Sequence, residues 1–333
     1  MAAHIYARMI VRLIVLLSAT ACFASDDPAA DQLAASVSKL VDIRSADSKP
    51  FQMDASFRAQ VNSPQDGHLT WKWAAKDLWT KEITLGSYRE FQVRKGDFLY
   101  ISRNLAFTPE RVAELIDLLT VFSADLDYWK IKKAKYEVRD GIELDCLQIG
   151  ARATRGAWNP RREVCVDHGT HEVLTDDARD DTEDRKKSFV DYQVFRDHSY
   201  PRQLKLLINA REALSVHVTS LQEATFTNEI FVPPPGAVVR RQCEHMVRPV
   251  AVKDPDPPYP RSAAQNRMAA TAIVALTVLP DGSVDNVQLI GSAGHDMDQV
   301  SQEIVKTWKF KPAMCGNEPI AYDIRVEINF RTN

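Results

Sequence analysis

The chain has no glycine-rich phosphate loop, no excess of basic charge and no apolar run long enough to cross a bilayer. Glycine is scarce, at 12 of 333 residues, and cysteine scarcer, at 5. Against 45 Asp+Glu stand 42 Lys+Arg, a formal net charge of -3, and the pI is near 6.3. That balance removes the basic footprint needed to neutralise a phosphate backbone, so nucleic-acid binding is excluded. There is no C-x-x-C pair to hold a metal, no G-x-S-x-G turn and no nucleophile–base spacing. The chain is read as a non-enzyme, with no catalytic residue, no cofactor and no metal. Its length points to about two domains, at ~100–200 residues each.

What is present begins with a leader. Arg8 and Arg12 precede an apolar run over residues 13–23, followed by Ala24 and the polar start Ser25-Asp26-Asp27. At ~1.5 Å per residue the run covers under about 20 Å, short of a ~30 Å hydrocarbon core. Residues 1–24 read as a cleaved secretory signal, with the mature chain beginning at Ser25. Ala19-Thr20-Ala21-Cys22 is an imperfect lipobox, with Ala19 where leucine is usual, so a lipoprotein anchored at Cys22 ranks second. An uncleaved inner-membrane anchor ranks last.

Export turns the cysteines into a disulfide question. Either processing route removes or modifies Cys22, leaving Cys146, Cys165, Cys243 and Cys315 in an oxidising compartment. Four cysteines permit three connectivities. Cys146 and Cys165 lie on neighbouring strand-like runs, 142–149 and 163–167, where a local bridge is cheap. That pairs Cys243 with Cys315 across a long loop; four free thiols or a Cys146–Cys243 bridge are the alternatives.

Prolines divide the chain. Pro233-Pro234-Pro235-Gly236 closes one unit, and Pro255, Pro257, Pro258 and Pro260 open another. Proline lacks an N–H donor and disfavours helix before it, so residues 233–256 are read as an extended linker. The expected domains span 34–232 and 257–333.

The first domain reads as an antiparallel sheet. Short aromatic and β-branched runs at 51–61, 68–73, 79–83, 89–93 and 98–102 are separated by polar turns. Lys95-Gly96-Asp97, Asp140-Gly141 and His168-Gly169 have hairpin chemistry. Further strands are expected at 171–174, 187–195, 203–208 and 213–221. Thr108-Pro109-Glu110 signals a helix start, with Thr108 as N-cap, and Val112, Leu115, Leu119 and Phe122 follow at helical spacing. A strongly curved sheet with one or two covering helices is the expectation. The run Leu69-Thr70-Trp71-Lys72-Trp73 with Trp79 and Ile83, then Leu99-Tyr100-Ile101 and Val164-Cys165-Val166-Asp167, resembles the LolA/LolB-like periplasmic lipoprotein carriers. Those are half-barrels around an apolar cavity, and the resemblance implies an acyl-chain cavity lined by Trp71, Trp73 and Trp79. Read from the residues alone, the same rings fill a core.

Other clusters read as ordinary. Asp167-His168-Gly169-Thr170-His171 is a turn with exposed histidines rather than a metal site, and Cys243-Glu244-His245 is half a disulfide. The acidic run from Asp176 to Asp184 lacks the glycine and ligand order of an EF-hand, so a solvated, mobile loop is expected.

The C-terminal segment carries more information. A short helix over 261–268, a strand over 271–279, the tight turn Pro280-Asp281-Gly282-Ser283 and a strand over 284–291 come first. Asp296 is placed to N-cap a helix with Gln299 at its third position, and Met297, Val300, Ile304 and Trp308 supply the apolar stripe. Ile324, Val326, Ile328 and Phe330 then alternate with Asp323, Arg325, Glu327 and Asn329, a strand with one wet face. The whole chain is thus read as α+β: a curved antiparallel sheet, then two helices on a three-stranded antiparallel sheet.

Tyr259-Pro260, the run from Val278 through Pro280-Asp281-Gly282-Ser283 to Val287, Ser292, and Trp308-Lys309-Phe310-Lys311-Pro312 resemble the TonB C-terminal domain family in order and spacing. The resemblance covers 257–330 and implies a periplasmic protein that binds an outer-membrane TonB-dependent transporter. It would take the transporter's TonB box peptide by strand addition, with Tyr259, Pro260, Ile324, Arg325, Val326, Glu327 and Ile328 as partner contacts. An exposed strand edge suits that role, because its unpaired N–H and C=O groups await a partner. The same edge could instead pair with itself in a homodimer. Three departures stand out: Ala270 replaces a usual glycine, Asp256 replaces a glutamine, and the leader lacks the Ser-x-x-x-His pattern that couples to the ExbB–ExbD motor. One expectation is an envelope adaptor or atypical TonB protein that engages a transporter's box, whether or not in energy-coupled transport. The other is a lipid or lipoprotein carrier whose TonB-like domain only docks it.

Overall fold

A computed structural model describes residues 27–44, 49–61, 63–123, 129–151, 161–179, 183–243, 246–265 and 270–330. The leader, Cys22 and the Ser25 start lie outside the described residues. Among those described, no helix is long and apolar enough to cross a membrane.

The fold is mixed, mostly antiparallel sheet with few helices. Helix α1 (Pro28–Val41) comes first, capped by Asp27, whose side chain accepts from the N–H groups of Ala29 and Ala30. Strands β1 (Phe51–Gln60), β2 (Pro64–Ala75), β3 (Leu78–Leu85), β4 (Tyr88–Lys95) and β5 (Phe98–Arg103) form one meander. After α2 (Glu110–Leu118) a second runs through β6 (Trp129–Arg139), β7 (Ile142–Ala151), β8 (Arg161–Asp167), β9 (Val173–Arg179), β10 (Asp184–Phe195), β11 (His198–Ile208) and β12 (Arg211–Glu223). Pairing of β1 with β12 joins the meanders, and β13 (Val238–Arg241) adds to β5. The result is a 13-stranded sheet in the order β13-β5-β4-β3-β2-β1-β12-β11-β10-β9-β8-β7-β6.

One apolar cluster gathers α1, α2 and both meanders: Ala34, Val37, Phe51, Leu69, Leu115, Phe122, Leu147, Val164, Phe189 and Leu204 are all buried in it. A sheet can share one core with side chains from strands this far apart only by wrapping around the helices. Bulges at Asp54/Ala55, Trp73/Ala75, Ile131/Lys133, Cys165/Val166 and Leu206/Leu207 supply the bending.

The remaining elements are β14 (Met246–Val247), β15 (Val250–Lys253), α3 (Arg261–Gln265), β16 (Ala270–Val278), β17 (Val284–Gly291), α4 (His295–Val305), β18 (Lys309–Lys311), β19 (Ala313–Cys315), β20 (Glu318–Ile320) and β21 (Tyr322–Phe330). Three form a sheet in the order β17-β16-β21, with α4 against β16 and β17. Gly282 sits in the turn between β16 and β17 at φ +79, and a Cβ there would stand 2.0 Å from the Phe310 carbonyl oxygen. Glycine is required twice over, by the left-handed backbone and by that close approach.

Several expectations are corrected. Helix α1 and strand β6 were not foreseen, and the boundary at residue 34 falls inside α1. Thr108 does not cap α2; its hydroxyl donates to Glu90 instead, at 2.6 Å. Helix α4 starts at His295 with Gly294 at its N-cap, leaving Asp296 in the first turn and the apolar stripe ending at Val305. The acidic run is not a loop over 176–179. It is strand β9, and Asp176 is buried between Arg162 (2.7 Å) and Lys187 (3.5 Å). Residues 180–182 lie outside the described residues. Three pieces of the proline-bounded connection are paired: β13 with β5, β14 with β19, and β15 with β18.

Candidate functional site

Strand β21 is an edge. It pairs with β16 from Ala270↔Phe330 to Val278↔Tyr322, and the sheet order leaves its other side unpaired among the described residues. Ile328 and Phe330 are buried, Ile324 and Val326 are partly buried against the same core, and Arg325, Glu327 and Asn329 are exposed. Tyr259 packs edge-on against Phe330 with ring centroids 5.7 Å apart, and Pro260 follows it, half-buried. The structure therefore brings the seven expected contact residues to one strand and its flank. Tyr259 stands at the Phe330 end.

The other end of β21 is held by residues that the sequence did not single out. Asp323 Oδ1 accepts from Arg240 Nη2 and from Thr277 Oγ1, each at 2.8 Å, and Asp323 Oδ2 lies 3.6 Å from Arg103. Arg325 donates to the Thr108 carbonyl at 3.0 Å. Behind Arg103, buried Glu90 accepts from the hydroxyls of Tyr88 (2.7 Å) and Thr108 (2.6 Å) and from the Gln92 amide (2.9 Å). Arg241 pairs with Glu318, and Arg94 donates to the Gln242 side chain at 2.8 Å. The rim of the large sheet thus holds Asp323 and Arg325, and among the described residues no such bond reaches 326–330. Only charge and strand alternation hinted at this, since every partner comes from a distant segment.

The three tryptophans sit in the first domain's core. Phe51 stacks on Trp73 at 5.4 Å and meets Trp71 edge-on at 5.6 Å; Trp79 is partly buried beside them. Lys81, 7% exposed, places its ammonium 4.6 Å from the Trp71 ring and 4.3 Å from the Trp79 ring. Desolvation, then the nearby Arg44 charge, draw its pKa down to about 7.

Disulfides join Cys146 to Cys165 and Cys243 to Cys315. Among the described residues, the His/Cys/Asp/Glu group close enough to hold an ion is Glu137, Cys146, Glu163 and Cys165. Its two sulfurs are bonded to each other, so no thiolate is available. The 167–171 turn is an Asp-based one: Asp167 Oδ1 accepts from the N–H groups of Gly169 (2.9 Å) and Thr170 (2.8 Å). His168 pairs with Asp145 at 2.8 Å.

Residues 255–332 match the family described as Gram-negative bacterial TonB protein C-terminal. The TonB-like domain is 32% identical over 76 residues to Protein TonB of Vibrio cholerae, covering 22% of this chain and 31% of that protein. It is also 32% identical over 81 residues to Protein tonB2 of Pseudomonas aeruginosa, covering 24% and 30%. The chain thus spans about a third of the length of these relatives. Among solved structures, a LolA superfamily protein from Nitrosomonas europaea is similar over 60% of this chain and 97% of its own, at 11% identity and a TM-score of 0.42.

Proposed function

We propose that this chain is a periplasmic envelope protein whose TonB-like domain pairs, along β21, with an extended segment of an outer-membrane TonB-dependent transporter. The observation that carries this reading is the edge itself: nine residues bonded to β16 on one side and, among the described residues, to no strand on the other, beside the Tyr259-Pro260 step. A peptide laid there satisfies the outward N–H and C=O groups, while Arg325 and Glu327 offer charges of both signs to its side chains. Titrating a TonB box peptide into the full mature chain tests it. Backbone amide shifts confined to β21 and to Tyr259 are expected; shifts elsewhere, or none, overturn it. A second copy is the competing occupant, and concentration-dependent dimerisation that blocks peptide binding would replace the transporter reading. The carrier role requires the packed Trp71, Trp73 and Trp79 rings to part for an acyl chain. Lipid co-purifying with the full chain is the observation that would support it.

A further inference from the structure

Outside the main core, three neighbouring strands gather two cysteines and two glutamates on one face of the large sheet. Cys146 on β7 lies directly opposite Cys165 on β8 and Lys135 on β6. Side chains alternate along a strand, so Glu137 shares the face of Lys135, and Glu163 that of Cys165. Cys146 Sγ lies 3.6 Å from Glu137 Oε1, and Cys165 Sγ lies 3.8 Å from Glu163 Oε1. One sulfur or carboxylate oxygen from each of the four falls within 4.8 Å of all the others. Both cysteines are buried, but the carboxylates beside them reach solvent, with side chains 15% and 29% exposed. An ion that meets those carboxylates is already at the sulfurs.

Those spacings fit a tetrahedral ion. Bonds of ~2.3 Å to sulfur and ~2.0 Å to a carboxylate oxygen give a sulfur–oxygen edge of about 3.5 Å. Sulfurs that are not bonded to each other part to an edge of about 3.8 Å. A pair of thiolates turns away the hard cations magnesium and calcium, and carboxylate oxygens beside them favour zinc over copper(I). The charges also close. Two thiolates and two carboxylates carry four negative charges, and zinc returns two. The rest is met by Lys135, 2.7 Å from Glu137, and by Arg139, which pairs with Glu137 and lies 2.6 Å from Glu163. Lys135 holds Glu137 by Oε2, the oxygen turned from the sulfur, and Arg139 is 42% exposed, able to turn to the oxygens that zinc leaves.

We propose that Glu137, Cys146, Glu163 and Cys165 bind a zinc ion in the chain whose Cys146–Cys165 bridge has not closed, so that zinc and disulfide are alternative states of one site. The ion ties β6, β7 and β8 together, where the bridge ties β7 to β8 alone. Oxidation releases it. The two thiolates give two electrons to a disulfide oxidant, which takes up two protons and becomes a dithiol, while the Cys146–Cys165 bond forms and zinc leaves.

Cobalt(II), a spectroscopic stand-in for zinc, tests the proposal on the full mature chain, reduced with a phosphine that is then removed under argon. One equivalent is expected to bind with a thiolate-to-cobalt charge-transfer band, which equimolar zinc erases. The oxidised chain should show no band. Cys243→Ser/Cys315→Ser should keep it, and Cys146→Ser/Cys165→Ser should lose it. Glu137→Gln/Glu163→Gln retains both thiols and should weaken cobalt binding about tenfold or more, since even the partners behind metal ligands are worth that much. Far-UV circular dichroism checks that each variant folds. A second readout needs no variant: zinc should raise the melting temperature of the reduced chain and leave that of the oxidised chain unchanged. Four results each overturn the proposal: no thiolate band at equimolar cobalt, a band that survives Cys146→Ser/Cys165→Ser, equal binding by the folded glutamate double variant, or a reduced chain whose melting zinc does not move.

Discussion

Lys81 is a buried cation whose ammonium meets two indole faces in place of an anion. Its alternation on β3, opposite Trp71 on β2, puts it on the core face, where a sequence window expects an apolar residue. Its folded pKa near 7 against an ordinary 10.5 sets the sign of a pH effect. Below pH 7 the amine is charged in both the folded and unfolded chain, and the folded state bears the full desolvation cost. Between 7 and 10.5 the folded amine gives up its proton while the unfolded one keeps it, so stability rises with pH. Lys81→Met should therefore be the more stable protein at pH 6, by about 1–2 kcal/mol once the lost cation–π contacts are counted. The advantage should shrink toward pH 10. Urea melts of both proteins at pH 6, 8 and 10 check this, and a constant difference would remove the argument. Asp176 is the opposite case. Burial raises its pKa, but Arg162 and Lys187 outweigh that and hold it below the usual range. Neither partner is its neighbour in sequence, so the acidic run looked solvated.

Among the elements, those with strong local signals were legible and those defined by a partner were not. The Lys95-Gly96-Asp97 and Asp140-Gly141 turns fall where turn chemistry put them, with positive φ at Gly96, Asp140 and Gly141. Strand β6 was missed because Lys130, Lys132, Lys133 and Lys135 blur its period and, among the described residues, its pairing is one-sided. Those lysines are also what discourages edge-to-edge association. Strand β21 is the contrasting edge: regular, and apolar on its inner face. If β21 is the pairing strand, Val326→Pro should lower box-peptide affinity more than tenfold, since proline deletes an N–H and breaks the ladder. Val326 also touches the core, so circular dichroism must show that the variant folds. A peptide N-methylated at alternate residues probes the same bonds without changing the protein. One methylation phase should abolish binding and the other should spare it; equal binding of both would contradict strand addition.

At the scale of the whole molecule, the proline-bounded connection is where sequence reading and structure diverge most. Proline runs and polar residues read as a spacer, yet Arg240 on β13 and Arg103 on β5 converge on Asp323 of β21. The join is therefore a polar interface, and the Cys243–Cys315 bridge ties the connection to β19. The bridge closes a sequence separation of 72, which the chain-entropy model values at about 4 kcal/mol. Breaking it alone leaves the Asp323 contacts; removing Asp323 alone leaves the tether. Neither lesion by itself should let the domains part. Together they should, because the remaining Arg241–Glu318 pair and Arg325–Thr108 bond are exposed and weak: Asp323→Ala strips two nearly buried guanidinium groups of an anion, and reduction frees the connection. Small-angle scattering should then show an increased radius of gyration only for the reduced Asp323→Ala protein. Unchanged far-UV circular dichroism would show that both cores persist. A reduced variant as compact as the oxidised wild type would mean that the domains are held by something other than these contacts.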